Sequence, residues 1–262
     1  MMSEISMGSL AAFKKLGFSQ NQAAALSRMA QQRNGMVIIA GTSSSRGDVT
    51  INAMKAHRDD SAIARPSDLV VPEDRMHDSS VIRSLSERGQ KGRFVLAPVH
   101  ASSAFNVPIR LKNLSAGQIN SMTAVYTGTV FQRLMPRNCP HCASLVEDQE
   151  LSVQYQEVLS RIKQYAGPRD TSGIRLRNTA GCFHSKCDTG VSGVELIAEV
   201  FEVKPEIQEA FADGDGHSAR DFFLANGGKT IKDHALDKVL AGTLDPLHAE
   251  HLVGLVGLFE NK

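Results

Sequence analysis

The chain predicts an α/β fold: a parallel sheet with flanking helices, followed by a cysteine-bearing segment and a helical C-terminal region. Three observations carry this. Strand-length apolar runs alternate with segments of helical period between residues 35 and 114, which is how parallel β–α units read. The first of those runs opens straight onto a loop of small residues and then a helix. Beyond residue 115 helical periodicity dominates, broken by four cysteines in two close pairs. With 262 residues, 42% of them hydrophobic, the chain suffices for one large or two modest domains.

Ser19 and Gln22 stand at capping-box spacing, and Ala23, Leu26, Met29 and Ala30 recur at helical intervals until Gly35 ends the pattern. Residues 36–40 form a continuous β-favouring apolar run, as in a strand buried on both faces. It leads into Gly41-Thr-Ser-Ser-Ser-Arg-Gly-Asp48, and residues 49–57 read as a helix. Residues 68–72 are a second short strand, 77–88 a helix and 94–99 a third strand. Ser115 and Gln118 mark a further capping box, and the character of the chain changes near this point. Val153, Val158, Leu159 and Ile162 belong to a long helix, residues 194–199 to a strand, and short helices start near Lys204, His217, Thr230 and Asp245.

Composition excludes several classes. Lys and Arg number 29 against 28 Asp and Glu, so the net charge of +1 provides no field for a polyanion. With only 5% aromatics, a nucleic-acid partner is not expected. The longest apolar runs fall far short of the roughly 20 residues of a transmembrane helix. The N-terminal stretch, with Glu4, lacks the basic-then-apolar layout of a signal peptide, and a cytoplasmic location is expected. In a reducing compartment cysteines serve metal or redox chemistry rather than structural disulfides.

Cys139-Pro-His-Cys142 and Cys182-Phe-His-Ser-Lys-Cys187 hold all the cysteines of the chain. Two close pairs on separate loops suit one tetrahedral zinc, whose ligands come from two turns. The wider spacing of the second pair leaves His184 as an alternative to Cys187 for the fourth position. Four unmetallated or redox thiols are the competing reading. Four protein ligands close the site, so such a zinc is structural and leaves no position for water or substrate. His248 and His251 lie one helical turn apart but lack a third ligand nearby, and they read as exposed helix residues.

Around the cysteines, Gln132-Arg-Leu134, Gly181-Cys182, Cys187-Asp-Thr-Gly190-Val-Ser-Gly193 and Ile197-Ala-Glu199-Val resemble the zinc segment of the secretion and pilus-assembly traffic ATPases. These serve type II secretion, type IV pilus and conjugation machines. The stretch Gly227-Gly-Lys-Thr-Ile-Lys-Asp-His-Ala-Leu-Asp-Lys238 with Ala241-Gly242 and Asp245-Pro246 is similar to the helical end of the conjugative thin-pilus branch. The resemblance runs, with interruptions, from about residue 17 to residue 255. It implies a P-loop, RecA-like core over residues 35–114, preceded by a linker helix or the remnant of another domain over 1–34. The zinc knot and C-terminal helices then occupy 115–262. It also implies a homo- or hetero-oligomeric ring, hexameric in the family, acting with an inner-membrane platform protein.

In that family the loop after the first strand binds ATP and magnesium. Gly41, Thr42, Ser43, Ser44 and Ser45 match its opening. Arg46, Gly47 and Asp48 stand where Gly, Lys and Ser or Thr belong, so the ammonium is missing and a carboxylate sits in the magnesium seat. Two like charges about 4 Å apart near a protein surface repel by roughly 4 kcal/mol. Glu73 matches the family's catalytic glutamate and Arg75 the arginine that follows it, with Met76 in place of an aspartate. His100 matches the second histidine of the His box, with Arg93 at the first, and Arg110-Leu111 also follows the pattern. Only about twenty residues separate Asp48 from Asp68, too few for the strand, helix and acidic box that the family places there. The expectation is a degenerate, poorly hydrolysing or non-hydrolysing subunit of a pilus, type II secretion or conjugation machine. The alternative is an active ATP-hydrolysing motor.

Overall fold

The computed structural model describes residues 7–42, 45–60, 68–72, 75–115, 124–204 and 215–254. Helix α1 spans Met7–Lys15 and α2 spans Gln20–Ala30. The capping box read from the sequence forms: Gln22 N–H donates to Ser19 Oγ at 3.3 Å, and Ser19 N–H donates to Gln22 Oε1 at 2.9 Å. The apolar stripe of α2, including Leu26 and Met29, is fully buried.

Strand β1, Gly35–Gly41, is buried at every residue. Such burial needs neighbours on both edges and both faces, which a central parallel strand has. It pairs in parallel with β3, Phe94–Val99, and with β4, Tyr126–Asn138. With β2, Leu69–Val70, and β7, Val191–Glu202, the five-stranded order is β2-β3-β1-β4-β7. Helices α3, Gly47–Asp59, α4, Ser79–Gln90, and α5, Asn106–Leu114, connect these strands. Asp78 caps α4 by accepting the N–H groups of Ser80 and Val81.

The chain divides into two compact units, Met1–Arg133 with Ala198–Lys229, and Leu134–Ile197 with Thr230–Lys262. In the first, Leu26, Met29, Met36, Ile38 and Leu96 are among the largest buried side chains. Arg58 is buried with them. Its Nη1 donates to Ala30 O and Gln32 O, each at 2.6 Å, and its guanidinium lies 3.8 Å from the centre of the Phe94 ring. The cation thus meets the negative end of α2 and an aromatic face. Helix α7, Gly216–Ala225, belongs to this unit too.

The second unit packs α6, Val153–Ala166, with α8, Ile231–Leu240, and α9, Pro246–Val253. Val158, Leu159, Ile162, Leu236, Val239 and Ala249 form its core. Each helix starts at a residue that the physics of capping favours: Ser152, Thr230 and Asp245 all accept a backbone N–H with their side chains. The strand expected over 194–199 is part of β7, and the helix expected near Lys204 falls largely on residues outside those described.

One expectation is corrected. Among the described residues the region after residue 115 is mixed rather than helical throughout, because β4 is a strand of 13 residues and β7 one of 12, while β5, Ser144–Leu145, and β6, Arg175–Leu176, pair antiparallel from either side of α6 in sequence. Ser115 follows α5 as its C-cap, and its hydroxyl donates back to Lys112 O at 3.1 Å; the helix expected to open at Ser115, with Gln118, falls on residues outside those described.

Candidate functional site

Strand β1 delivers Gly41 to a tight turn into α3, and the turn is held from beneath by Gln132 of β4. The Gln132 side chain is fully buried. Its Nε2 donates to Ser45 O at 2.8 Å and Arg46 O at 3.3 Å, while Oε1 accepts from Thr50 Oγ1 at 2.6 Å. Ser45 N–H closes the turn on Thr42 O at 3.1 Å. Arg46 is the N-cap of α3 with φ 51° and ψ 46°, left-handed backbone that glycine adopts freely and other residues adopt at a cost. Glycine is the residue that a phosphate-binding loop places there, so backbone geometry of that kind persists without it.

On the far side of the turn the structure brings together Arg75 and His100. Nδ1 of His100 lies 3.2 Å from Gly41 O and acts as the donor, which leaves Nε2 to accept from Arg75 Nη1 at 2.7 Å. The same guanidinium nitrogen is 2.8 Å from Nδ1, so it lies close to both ring nitrogens. A cavity of about 330 Å³ opens here. Ser45, Arg46, Gly47, Asp48 and Arg75 line it, over apolar walls that include Ile39 and Val71. Ser43, Ser44 and Glu73 lie outside the described residues.

Neighbouring departures have structural consequences. Met76 is buried, and its N–H donates to Pro98 O at 2.9 Å, so this position packs rather than ligates. Arg93 faces solvent 3.5 Å from Asp68. Gly47 supplies no side chain, and a Cβ built there would stand 3.0 Å from Ile39 Cγ2. Asp48 falls in the first turn of α3. The lysine ammonium and the hydroxyl that Mg-ATP uses are therefore both absent at residues 47 and 48, and the residues present do not fit that group.

The cysteines come together in the second unit. Sγ of Cys139 lies 4.0 Å from that of Cys182, Cys142 lies 3.9 Å from Cys187, and all four sulfurs fall within 4.8 Å of one another. Zinc–thiolate bonds of about 2.3 Å in a tetrahedron put sulfurs about 3.8 Å apart, which these separations match. Gly190 O accepts Cys139 N–H at 2.9 Å. Gly190 itself has φ +83°, and a Cβ there would sit 2.1 Å from Asn178 O, so only glycine permits this closure. Burial and the neighbouring thiols push Cys142 up to about 12. Burial also opposes ionisation of Cys187, but hydrogen bonds from the Cys182 and Gly190 backbone bring it down to about 7. One thiolate forms readily, and four require a bound cation to offset their repulsion. His184 Nδ1 accepts Lys186 N–H at 3.3 Å, and its ring stacks on His141 at 3.9 Å, so it stands apart from the cluster that Cys187 completes.

His248 is half-buried and His251 exposed on α9, in a different cavity with Tyr155 and Asp245. Burial lowers the His248 imidazole below its ordinary range. Among the described residues only the four cysteines form a cluster able to hold a metal.

Gln132 and Thr50 are the site residues that sequence reading missed as functional. A glutamine in a strand otherwise rich in β-formers was the available signal, since a buried amide requires partners.

Comparison with known proteins follows the same lines. Residues 64–252 match the family described as Type II/IV secretion system protein. The chain is 28% identical over 169 residues to the type IV pilus assembly ATPase PilB of Thermus thermophilus, covering 64% of this chain and 18% of PilB. It is 26% identical over 234 residues to type II secretion system protein E of Pectobacterium carotovorum subsp. carotovorum, covering 86% of this chain and 44% of that protein. The chain thus spans less than half the length of these curated relatives. Among solved structures, the pilus retraction motor PilT with bound ADP superposes with TM-score 0.59 at 11% identity, over 91% of this chain and 66% of PilT. The Legionella pneumophila ATPase DotB gives 0.57 at 11% identity, over 92% and 64%. At these identities the likeness to PilT and DotB is one of fold.

Proposed function

This chain belongs to the Type II/IV secretion system protein family, and from that premise we propose that it is a degenerate, poorly hydrolysing or non-hydrolysing subunit of a pilus, type II secretion or conjugation machine. On this reading residues 35–114 are a truncated nucleotide-binding core and 1–34 a linker or the end of a preceding domain, while 115–262 carry the metal knot and the C-terminal helices. It joins a ring, hexameric in the family, on an inner-membrane platform.

One observation carries the proposal: the turn into α3 keeps its left-handed backbone at Arg46, yet Gly47 and Asp48 follow it. Phosphoryl transfer is almost entirely positioning and charge stabilisation. Without the lysine, and with a carboxylate in the metal seat, transition-state charge is left uncompensated. Zinc in the tetracysteine cluster is structural on the same reading, because four protein ligands leave no open position.

A titration with a fluorescent ATP analogue in magnesium, alongside an ATPase assay of the pure protein, tests this. Weak binding and negligible turnover are expected. Micromolar binding that disappears on changing Arg46, with steady phosphate release, would replace it with the second reading, an active motor. The specific observation on that side is the contact between His100 and Arg75, which lines the cavity.

A further inference from the structure

We infer that the outer edge of β7, where it runs between α2 and α7, docks an extended acidic segment of a partner protein as an added strand. The surface shares no lining residue with the cavity at the β1–α3 turn. The inference therefore goes beyond the proposed function and holds whether or not the chain hydrolyses ATP.

The direction of the backbone groups defines the edge. β7 ends the order β2-β3-β1-β4-β7, so one side of it meets β4, and among the described residues no strand pairs with the other. Successive residues of a strand turn their N–H and C=O groups to opposite edges. Val203 N–H donates to Thr127 O at 2.9 Å, and a Cβ at Gly128 would lie 2.6 Å from Phe201 O, so residues 201 and 203 face β4. Ala198 O turns the other way. It accepts from Gln22 Nε2 of α2 at 2.7 Å. Val200 and Glu202 share that outer edge, and because Gln22 occupies Ala198 O, strand addition begins at Val200.

A helix flanks this edge on each face of the sheet. The Phe201 ring stands 5.5 Å from that of Phe105 and 5.3 Å from that of Phe223 in α7. The next side chain, Glu202, meets Arg28 of α2 at 2.8 Å on the opposite face. Between the helices lies a cavity of about 200 Å³, whose lining includes Val200, Glu202, Phe222 and Phe223. A strand laid along β7 pairs with its outward backbone groups and sets alternate side chains against the α7 rings and against α2.

Charge selects the kind of strand. Arg28, Lys204 and Lys229 line the cavity against the single carboxylate of Glu202, and Lys204 is exposed at the end of β7. Over the whole chain Lys and Arg number 29 against 28 Asp and Glu, so this local excess is not a share of a general basic field. Acidic side chains alternating with apolar ones match both the lysines and the phenylalanines, whereas a basic strand is repelled.

Fluorescence anisotropy of the full chain with a fluorescein-labelled hexapeptide of alternating Asp and Phe tests the inference, beside its fully N-methylated counterpart and a hexapeptide of alternating Lys and Phe. Saturable binding of the first is expected, with the other two each weaker by about tenfold or more. Lys204→Glu should weaken binding several fold, by a margin that shrinks at high salt, and Phe222→Ser should also weaken it. Equal binding of the N-methylated peptide overturns strand addition, and equal binding of the Lys and Phe peptide overturns the acidic partner. No saturable binding of any peptide overturns the inference. Binding unchanged in both variants, with melting temperatures equal to that of the unsubstituted chain, overturns the site. Sedimentation of the chain alone covers another occupant: a dimer that forms with rising concentration and is lost in Lys204→Glu would assign the edge to a second copy instead.

Discussion

Arg75 Nη1 meets His100 Nε2 at 2.7 Å across 25 residues of sequence, and the same imidazole reaches Gly41 O at 3.2 Å. One ring therefore fixes both the guanidinium and the last residue of β1. His100 is exposed, so its contacts serve geometry more than stability. His100→Ala should change unfolding free energy by no more than about 0.5 kcal/mol. It should nevertheless weaken any residual binding of the fluorescent ATP analogue, by several fold, because Arg75 loses its orientation. Denaturant titration and ligand titration on the same variant check both halves. A large loss of stability with unchanged affinity would assign His100 to the fold instead.

Gln132 is the opposite case, a polar side chain buried for the sake of the loop. Gln132→Leu leaves Thr50 Oγ1, Ser45 O and Arg46 O without the amide that serves them. Each unsatisfied buried group costs about 1–3 kcal/mol, so a loss near 3 kcal/mol is expected after partial relaxation. Thr50→Val removes one partner only and should cost about 1 kcal/mol. Measured in a double-mutant cycle, the two changes should be non-additive, since they share one hydrogen bond. Additive effects would show that Thr50 and the amide are not coupled, and a negligible cost of Gln132→Leu would show that the loop does not depend on this amide.

Local signals were legible and non-local ones were not. The α2 capping box and the β1 run lie within a few residues of sequence, and both formed as read. Strand β4 escaped because Gly128 and Gln132 interrupt its apolar pattern, and both are explained only by distant partners. A Cβ at Gly128 would lie 2.2 Å from Met29 Sδ and 2.6 Å from Phe201 O, while Gln132 answers to the turn before α3. The cysteine pairs were legible because zinc chemistry restricts spacing tightly. The approach of Arg75 to His100 was not legible, because no spacing rule brings residues on separate loops together, although the family resemblance singled out each residue by itself.

His57 gives a pH dependence. It is buried, its Nε2 lies 3.0 Å from Ser27 Oγ, and burial lowers its pKa below the ordinary 6.5. The unfolded chain then binds more protons than the folded one between the lowered value and 6.5. Stability should accordingly rise with pH through that window, level off above it, and fall as the solution is acidified. Replacing His57 by Gln keeps a hydrogen bond to Ser27 and should flatten that part of the melting-temperature profile. A slope unchanged in His57→Gln would place its origin elsewhere.

The tetracysteine cluster yields the most discriminating metal experiment. Sulfur separations of 4.0 and 3.9 Å match a tetrahedral thiolate site, and unmetallated thiolates so close repel one another. Metal analysis after dialysis should find about one zinc per chain. Cys139→Ser and Cys187→Ser should lose it and lower the melting temperature, because the knot holds two turns of the second unit together. His184→Ala should keep the metal, since Nδ1 of that ring already serves Lys186 N–H. Acidification should release zinc as protons compete for the sulfurs, and chelator should reproduce the Cys139→Ser melting curve. Retention of zinc by Cys187→Ser together with its loss in His184→Ala would move the fourth ligand to the imidazole. Unchanged melting after complete zinc removal would instead show that the hydrogen bonds around Gly190 and Asn178 hold these turns unaided.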